Sequence, residues 1–257
     1  NLSFFIFTQN PKLFYQNTSI QLREIRAYID IEKILKKNNT PDRVFVSSES
    51  MKIEDLKKIL IFTKPSNFKS FALNNIKSGE LKISLDLDFD ENFNLEDYQF
   101  DGYVKKIKGD YKKNIIFENL DFIFAINKNL GSFREIKGLI NEISINSGSL
   151  DYKSLENLEV NMNFESKLNL KNEELNQLFD KLKVNYPLKS NISLQGKSKH
   201  ELNVILDKTL QILSYDYFLN LENSNFNLNF KDKFILPFFG ESIKNITLND
   251  TIIKLKL

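Results

Sequence analysis

The sequence predicts a mostly β protein: an elongated, coiled antiparallel sheet carrying a few amphipathic helices. Three observations lead there. Apolar and polar residues alternate strictly over long runs, which in a strand sends every apolar side chain to one face. One such run, Leu158, Val160, Met162, Phe164, Ser166, Leu168 and Leu170, lasts thirteen residues. At roughly 3.3 Å per residue that is a strand of about 40 Å, far beyond the usual five or six residues. Finally, the phase of alternation slips by one residue and then resumes, as a β-bulge or a sharp bend makes it do.

In chain order, Ile25, Ala27, Ile29 and Ile31 alternate with Arg26, Tyr28 and Asp30. Leu81, Ile83, Leu85, Leu87 and Phe89 alternate with Lys82, Ser84, Asp86 and Asp88, and Asp90-Glu91-Asn92 makes a turn. Tyr98, Phe100, Gly102 and Val104 follow, and beyond Lys105-Lys106 the phase moves to Ile107, Gly109 and Tyr111. Leu120, Phe122, Phe124 and Ile126 come next, with Ile123 and Ala125 making the second face apolar too. Ile136, Gly138 and Ile140 slip into Ile143 and Ile145. Past the thirteen-residue run, separate shorter sets are Leu188, Ile192 and Leu194, then Leu202, Val204 and Leu206, then Tyr215, Tyr217, Leu219 and Leu221. Phe226, Leu228 and Phe230 follow, and Ile253, Leu255 and Leu257 close the chain.

Helical spacing replaces alternation near 53–78 and 172–184. Ile53, Leu56, Ile59 and Leu60 keep it, with Glu54 and Asp55 where the helix dipole favours acids. Pro65 ends that helix, Ser66 caps a second bearing Phe68, Phe71, Ala72 and Ile76, and Gly79 stands just past its end. Glu173 and Glu174 open a third, with Leu175, Leu178, Phe179 and Leu182 on one side and Pro187 beyond. Asp207 to Leu213 adds a short helical turn. No Ser/Gly-rich or charged linker divides the chain, so residues 1–257 read as a single section of one domain.

Composition narrows the function classes. The chain is 41% hydrophobic and 27% charged, enough to bury a core. Its 36 basic residues nearly balance 34 acidic ones, and Arg occurs only at 23, 26, 43 and 134, which argues against a nucleic-acid partner. With no Cys, thiol chemistry and disulfides are excluded. The chain opens on Asn1 rather than Met, as a processed form or a fragment would, and Ser3 to Phe7 is far too short an apolar run to span a bilayer.

Catalytic parts are missing from the sequence. The one His, His200, stands between Lys199 and Glu201 and reads as a surface or structural residue. Asp86, Asp88, Asp90 and Glu91 form the densest carboxylate cluster, yet no twelve-residue calcium loop follows, and a solvated strand face explains them better. The glycines are isolated, so no phosphate loop is expected. No catalytic residue and no cofactor is therefore expected.

An alternating face of this length suits hydrocarbon. An acyl chain of about sixteen methylenes exposed to water costs on the order of 13 kcal/mol, at roughly 0.8 kcal/mol each. A continuous apolar groove removes most of that cost and needs no catalytic residue. The best lining positions are Ile29, Ile83, Leu85, Leu87, Phe124, Val160 and Met162. A charge at Val160 should block an open groove with local damage only, but unfold a closed core. Two other classes share the alternation: an outer-membrane barrel, disfavoured by the helices and by the lack of aromatic girdles, and a structural or adhesive β-sandwich with a closed core.

The stretch Ile25 to Ile31, the helix from Ile53 to Ile59, Thr63-Lys64-Pro65-Ser66, and Gly79 to Leu85 running on through Asp101-Gly102-Tyr103-Val104 resemble the AsmA-like superfamily, nearest in pattern to its large YhdP-type members. The likeness is best over positions 20–170 and weak after 200. It implies a taco-like β-groove in a bridge-like lipid-transfer protein, anchored in the bacterial inner membrane and crossing the periplasm. Its partners would be phospholipid acyl chains and the membranes at either end, with no nucleic acid.

Overall fold

In a computed structural model of the chain, residues 3–15, 18–35, 40–61, 67–111, 115–141, 143–173, 190–207, 209, 211–235 and 242–256 are described. They form β1 (Ser3–Gln9), β2 (Lys12–Tyr15), β3 (Thr18–Asp30), α1 (Ile31–Leu35), β4 (Arg43–Ser48), β5 (Met51–Lys52), α2 (Ile53–Leu60) and α3 (Asn67–Asn75). Then come β6 (Ile76–Phe89), β7 (Leu95–Tyr111), β8 (Ile115–Asn127), β9 (Leu130–Ile140), β10 (Ile143–Ser154) and β11 (Leu158–Leu170). The chain ends with β12 (Ser190–Leu206), β13 (Ile212–Ile235) and β14 (Ser242–Lys256).

All fourteen strands belong to one antiparallel sheet, and from β6 to β14 each strand pairs with the next in sequence. β1 and β2 share one side of β3 in succession, and β4 and β5 likewise share one side of β6. From β6 to β11 the connections are two to five residues long, because neighbours in sequence are neighbours in space. Asp90 makes one of them: its carboxylate accepts from the backbone N–H groups of Asn92 and Asn94 and from the Asn94 amide. The Asn94 amide also holds that carboxyl below its usual range.

Register turns the alternation into rows. Ile25, Val46, Leu85, Phe100 and Ile126 stand opposite one another in turn, and the row runs on through Gly131, Tyr152, Val160 and Val204 to Tyr215. It crosses ten strands, β3 to β13 without β5. The neighbouring row passes from Ile83 through Gly102, Phe124, Phe133, Leu150, Met162 and Leu202 to Tyr217. Rings lie over the glycines: a Cβ on Gly102 would meet the Phe124 ring at 2.8 Å, and one on Gly131 the Tyr152 ring at 2.0 Å. The opposite face carries Asp86, Asp101, Arg134, Asp151 and Asn163, with Arg43 and Arg134 paired to Asp86 and Asp151.

Bulges line up across β6 to β9. Gly79 has φ 148°, Lys106 52°, Asn119 50° and Glu135 54°. A Cβ on Gly79 would strike Ile107, so the bulges of adjacent strands touch. Left-handed backbone at Lys106 and Glu135 costs on the order of 1 kcal/mol each. Bulges sharpen local twist, and a line of them bends every strand at the same height.

Several elements differ from the sequence reading. Lys105-Lys106 is a bulge as the phase slip indicated. The slip between Ile140 and Ile143 is instead a hairpin turn between β9 and β10. Ile76 begins β6 rather than ending a helix, and Gly79 is a strand bulge rather than a helix cap. Ile31 opens α1 instead of continuing β3. In place of the helical turn expected over Asp207 to Leu213, the Asp207 carboxylate accepts from the N–H groups of Thr209 and Gln211, and Ile212 and Leu213 already belong to β13. The sets around Leu194 and Leu202 merge into the 17-residue β12, and those around Tyr217 and Phe226 into the 24-residue β13. Pro65, Ser66, residues 174–184, Pro187, Leu188 and Leu257 lie outside the described residues.

Candidate functional site: an apolar face with a polar cluster

The seven sequence-predicted lining residues fall on one face. Leu87 is two residues from Leu85 on β6 and shares its side of the sheet, and the register Leu87–Val44–Ala27 carries that side to β3, where Ile29 is in phase. Leu85 and Val160 belong to the ten-strand row, and Ile83, Phe124 and Met162 to the row beside it. Ile29, Phe124 and Val160 are buried, whereas Ile83, Leu85, Leu87 and Met162 stay half-buried. The whole chain exposes 17887 Å², about half as much again as the roughly 12,000 Å² of a compact monomer of this mass.

One end of the face is dry and covered. Ile53, at the start of α2, packs with Leu81, Val104, Ile107, Phe117 and Phe124 in a single buried cluster, and Leu56 and Met51 lean on it. Lys57 ties α2 to the end of α3, donating to the Leu73 carbonyl at 3.0 Å and to that of Ile76. The helix forms where its apolar residues recur at helical spacing and acids occupy its first turn.

Further along the same face a polar cluster interrupts the apolar rows. Phe164 faces His200 and Ser166 faces Ser198 across β11 and β12. Ser166 Oγ lies 2.5 Å from Ser198 Oγ and 3.1 Å from His200 Nε2, Ser198 Oγ is 2.8 Å from the same nitrogen, and His200 Nδ1 is 2.8 Å from Tyr217 Oη. Both serines are 1% exposed and His200 is 8% exposed. Phe164 stacks on the imidazole with 4.2 Å between centroids. Burial pushes His200 down to about 4, so the ring is neutral at pH 7, and burial raises the Tyr217 phenol.

His200 is therefore buried, which removes the surface half of the sequence reading and leaves the structural half. Ser198, His200, Leu202, Val204 and Leu206 share one parity, and that parity places the ring on the apolar face although charged residues flank it. Serine beside histidine matches a nucleophile–base pair in distance. Both hydroxyls are closed off, however, and a ring that protonates only near pH 4 is a weak base. Hydrogen bonding is what this cluster is built to do. A buried hydroxyl left without a partner costs about 1–3 kcal/mol, and these contacts avoid it.

The carboxylates have other roles. Asp86 takes both Nε and Nη2 of Arg43, Asp88 lies 4.0 Å from the same guanidinium, and Asp90 caps its turn. A shallow depression of about 380 Å³ sits against Gln99, Ala125, Ser132, Asp151 and Asn161, on the polar side of the sheet. No helix among the described residues is long and apolar enough to cross a membrane. The chain matches no family model, no curated protein and no solved structure.

Proposed function

We propose that this chain is a non-enzymatic section of a hydrophobic-groove protein that holds phospholipid acyl chains and conducts them between the inner and outer membranes of a bacterial envelope. The observation that carries the reading is the apolar face itself. A row of apolar residues crosses ten strands of one sheet, and much of it stays half-exposed where a closed core would bury it. An apolar row of that length, left only partly buried, is a surface that hydrocarbon can cover.

The aligned bulges suit a sheet that curls into a trough, with α2 closing part of its length. Acyl chains would lie along the half-buried rows, and headgroups would stay in water. The likeness in pattern to AsmA-like proteins supplies the setting: a periplasmic conduit, anchored in the inner membrane and facing a membrane at either end.

Expression in a bacterial envelope, gentle purification and extraction of the bound lipid test it. Phospholipid at near-stoichiometric or higher amounts, lost in Met162→Asp, is the expected result. Met162 serves better than Val160, because Val160 is 8% exposed and a charge there disturbs packing as well. A lipid-free, monomeric, cooperatively folding protein would instead mark a structural or adhesive β protein with a closed core.

A further inference from the structure

We infer that β1 is a dimerisation edge: it pairs antiparallel with β1 of a second copy of this chain, about a two-fold axis at Ile6, and joins two sheets into one. The pairing needs no lipid, so it stands or falls apart from the groove.

The two outer strands of the sheet differ in chemistry. Among the described residues β1 pairs only with β3, and β14 only with β13, so each turns a row of backbone N–H and C=O groups outward. β14 carries Lys244, Lys254 and Lys256, and lysine is a common guard of an open edge. Pairing β14 antiparallel with itself over its full length sets Lys244 against Lys254, like charge on like. β1 reads Ser-Phe-Phe-Ile-Phe-Thr-Gln, with no charge and no proline. Its Phe4, Phe5, Ile6 and Phe7 are 54%, 57%, 53% and 41% exposed. An unguarded edge of that composition is a template for another strand.

The sequence of β1 suits its own antiparallel copy. About Ile6 all seven residues pair: Ile6 with itself, Phe5 with Phe7, Phe4 with Thr8 and Ser3 with Gln9. The first charged side chain, Lys12, falls beyond the paired stretch. Phe4 and Ile6 stand opposite Ile29 and Ala27 of β3, on the apolar face, so the pairing carries the apolar rows of one copy into those of the other. Phe5 and Phe7 lie on the opposite face, where Phe5 is 6.0 Å from the Tyr28 ring and the Arg26 guanidinium is 5.5 Å from the Phe7 ring. A partner strand flanks both sets at once, which a ligand confined to the apolar face does not. The two-fold pair also closes at two copies, whereas β1 joined to β14 of the next copy would grow into a filament.

Light scattering on the purified whole chain over a range of concentrations tests the pairing. A mass of two chains is expected, with Ile6→Lys weakening the dimer at least about 10-fold by opposing two ammonium groups on the axis. Ile6 is an exposed edge residue, so urea unfolding of that variant, measured on monomer, should match the native chain. Because the chain has no Cys, single substitutions report the register. Ile6→Cys should oxidise to a disulfide-linked dimer, since its two copies face each other. Phe4→Cys should not, because its copies lie about 14 Å apart along the strands, beyond the reach of a disulfide. A monomer at every concentration overturns the inference. So do a dimer indifferent to Ile6→Lys, equal cross-linking of the two cysteine variants, and an open series of larger oligomers.

Discussion

Two stretches of the same face solve the same problem differently. Across β6 to β9 the apolar rows are bent by bulges, and Ile53 at the start of α2 joins five strand residues in one cluster, so six side chains bury one another without a polar atom among them. Across β11 to β13 the rows hold Ser166, Ser198, His200 and Tyr217 in contact with one another, and β11 pairs with β12 through thirteen residues with no slip in register. The three described helices pack on β3 and β5 to β7, not on this stretch. Cover permits a dry cluster, since hydrocarbon on both sides leaves nothing for water to touch. The β11 to β13 stretch is buried as deeply, with Ser166 and Ser198 at 1%, and holds polar groups there because they bond to each other.

The largest expected effect sets charge against that cover. Val104, 6% exposed among Leu81, Ile107 and Phe124, has no polar neighbour in its cluster to receive a carboxylate. Val104→Asp should cost about 3–5 kcal/mol, the penalty of an uncompensated buried charge. Met162→Asp, at a half-buried strand position on the same face, should cost on the order of 1 kcal/mol. Urea unfolding of both variants reads the difference. Equal losses would mean that the β11 to β13 face is as tightly packed as the helix-covered one.

A smaller effect belongs to the polar cluster alone. Burial lowers His200 to about 4 when folded, against about 6.5 unfolded. The unfolded chain therefore binds the proton more readily between those values. The stabilisation is complete above about pH 6.5 and is lost as pH falls towards 4, amounting to about 3 kcal/mol. His200→Gln keeps a donor and an acceptor but does not titrate in this window. Stability measured at neutral pH and near pH 4 should fall further in the native chain than in the variant by about 2–3 kcal/mol. Identical pH profiles would show that the ring is hydrated and the cluster open to water.

The faces were legible in the sequence because strand periodicity has only two phases, and Ile83, Leu85, Phe124 and Met162 follow it without interruption. The bulge at Lys105-Lys106 was legible for the same reason: a slip shows when both flanks alternate. β12 looked like two shorter strands because Gln195 to Glu201 carries no apolar side chain to mark the phase, and β13 because the register shifts between Leu221 and Phe226 break its phase. β1 was missed because Phe4, Phe5, Ile6 and Phe7 do not alternate, and only pairing with β3 makes them a strand. The polar cluster needed contacts between strands, from 17 to 34 residues apart in sequence. Even so, Ser166 stood in the apolar phase of its run, and His200 in that of Leu202 and Val204. A polar residue at an apolar phase position was the available signal, and the charged neighbours of His200 hid it.

The smallest expected effect concerns the opposite face, which both stretches share. Arg43 grips Asp86 through two nitrogens, and that carboxylate raises the guanidinium above its usual range. Arg134 reaches Asp151 through one nitrogen at 2.6 Å, and both side chains are about half exposed. Exposed pairs contribute about 0.2–1 kcal/mol and are screened by salt. Double-mutant cycles on the two pairs, run at low and at high salt, should give a coupling below about 1 kcal/mol for each, larger for the two-pronged Arg43 pair and reduced by salt for both. If the outer pairs proved as strong as the inner contacts and insensitive to salt, the polar face would be buried against something too. The contrast between the stretches would then not belong to the apolar face alone. Weak, screened pairs leave the stability of the sheet where the rows put it, on the side where α2 covers one stretch and hydroxyls interrupt the other.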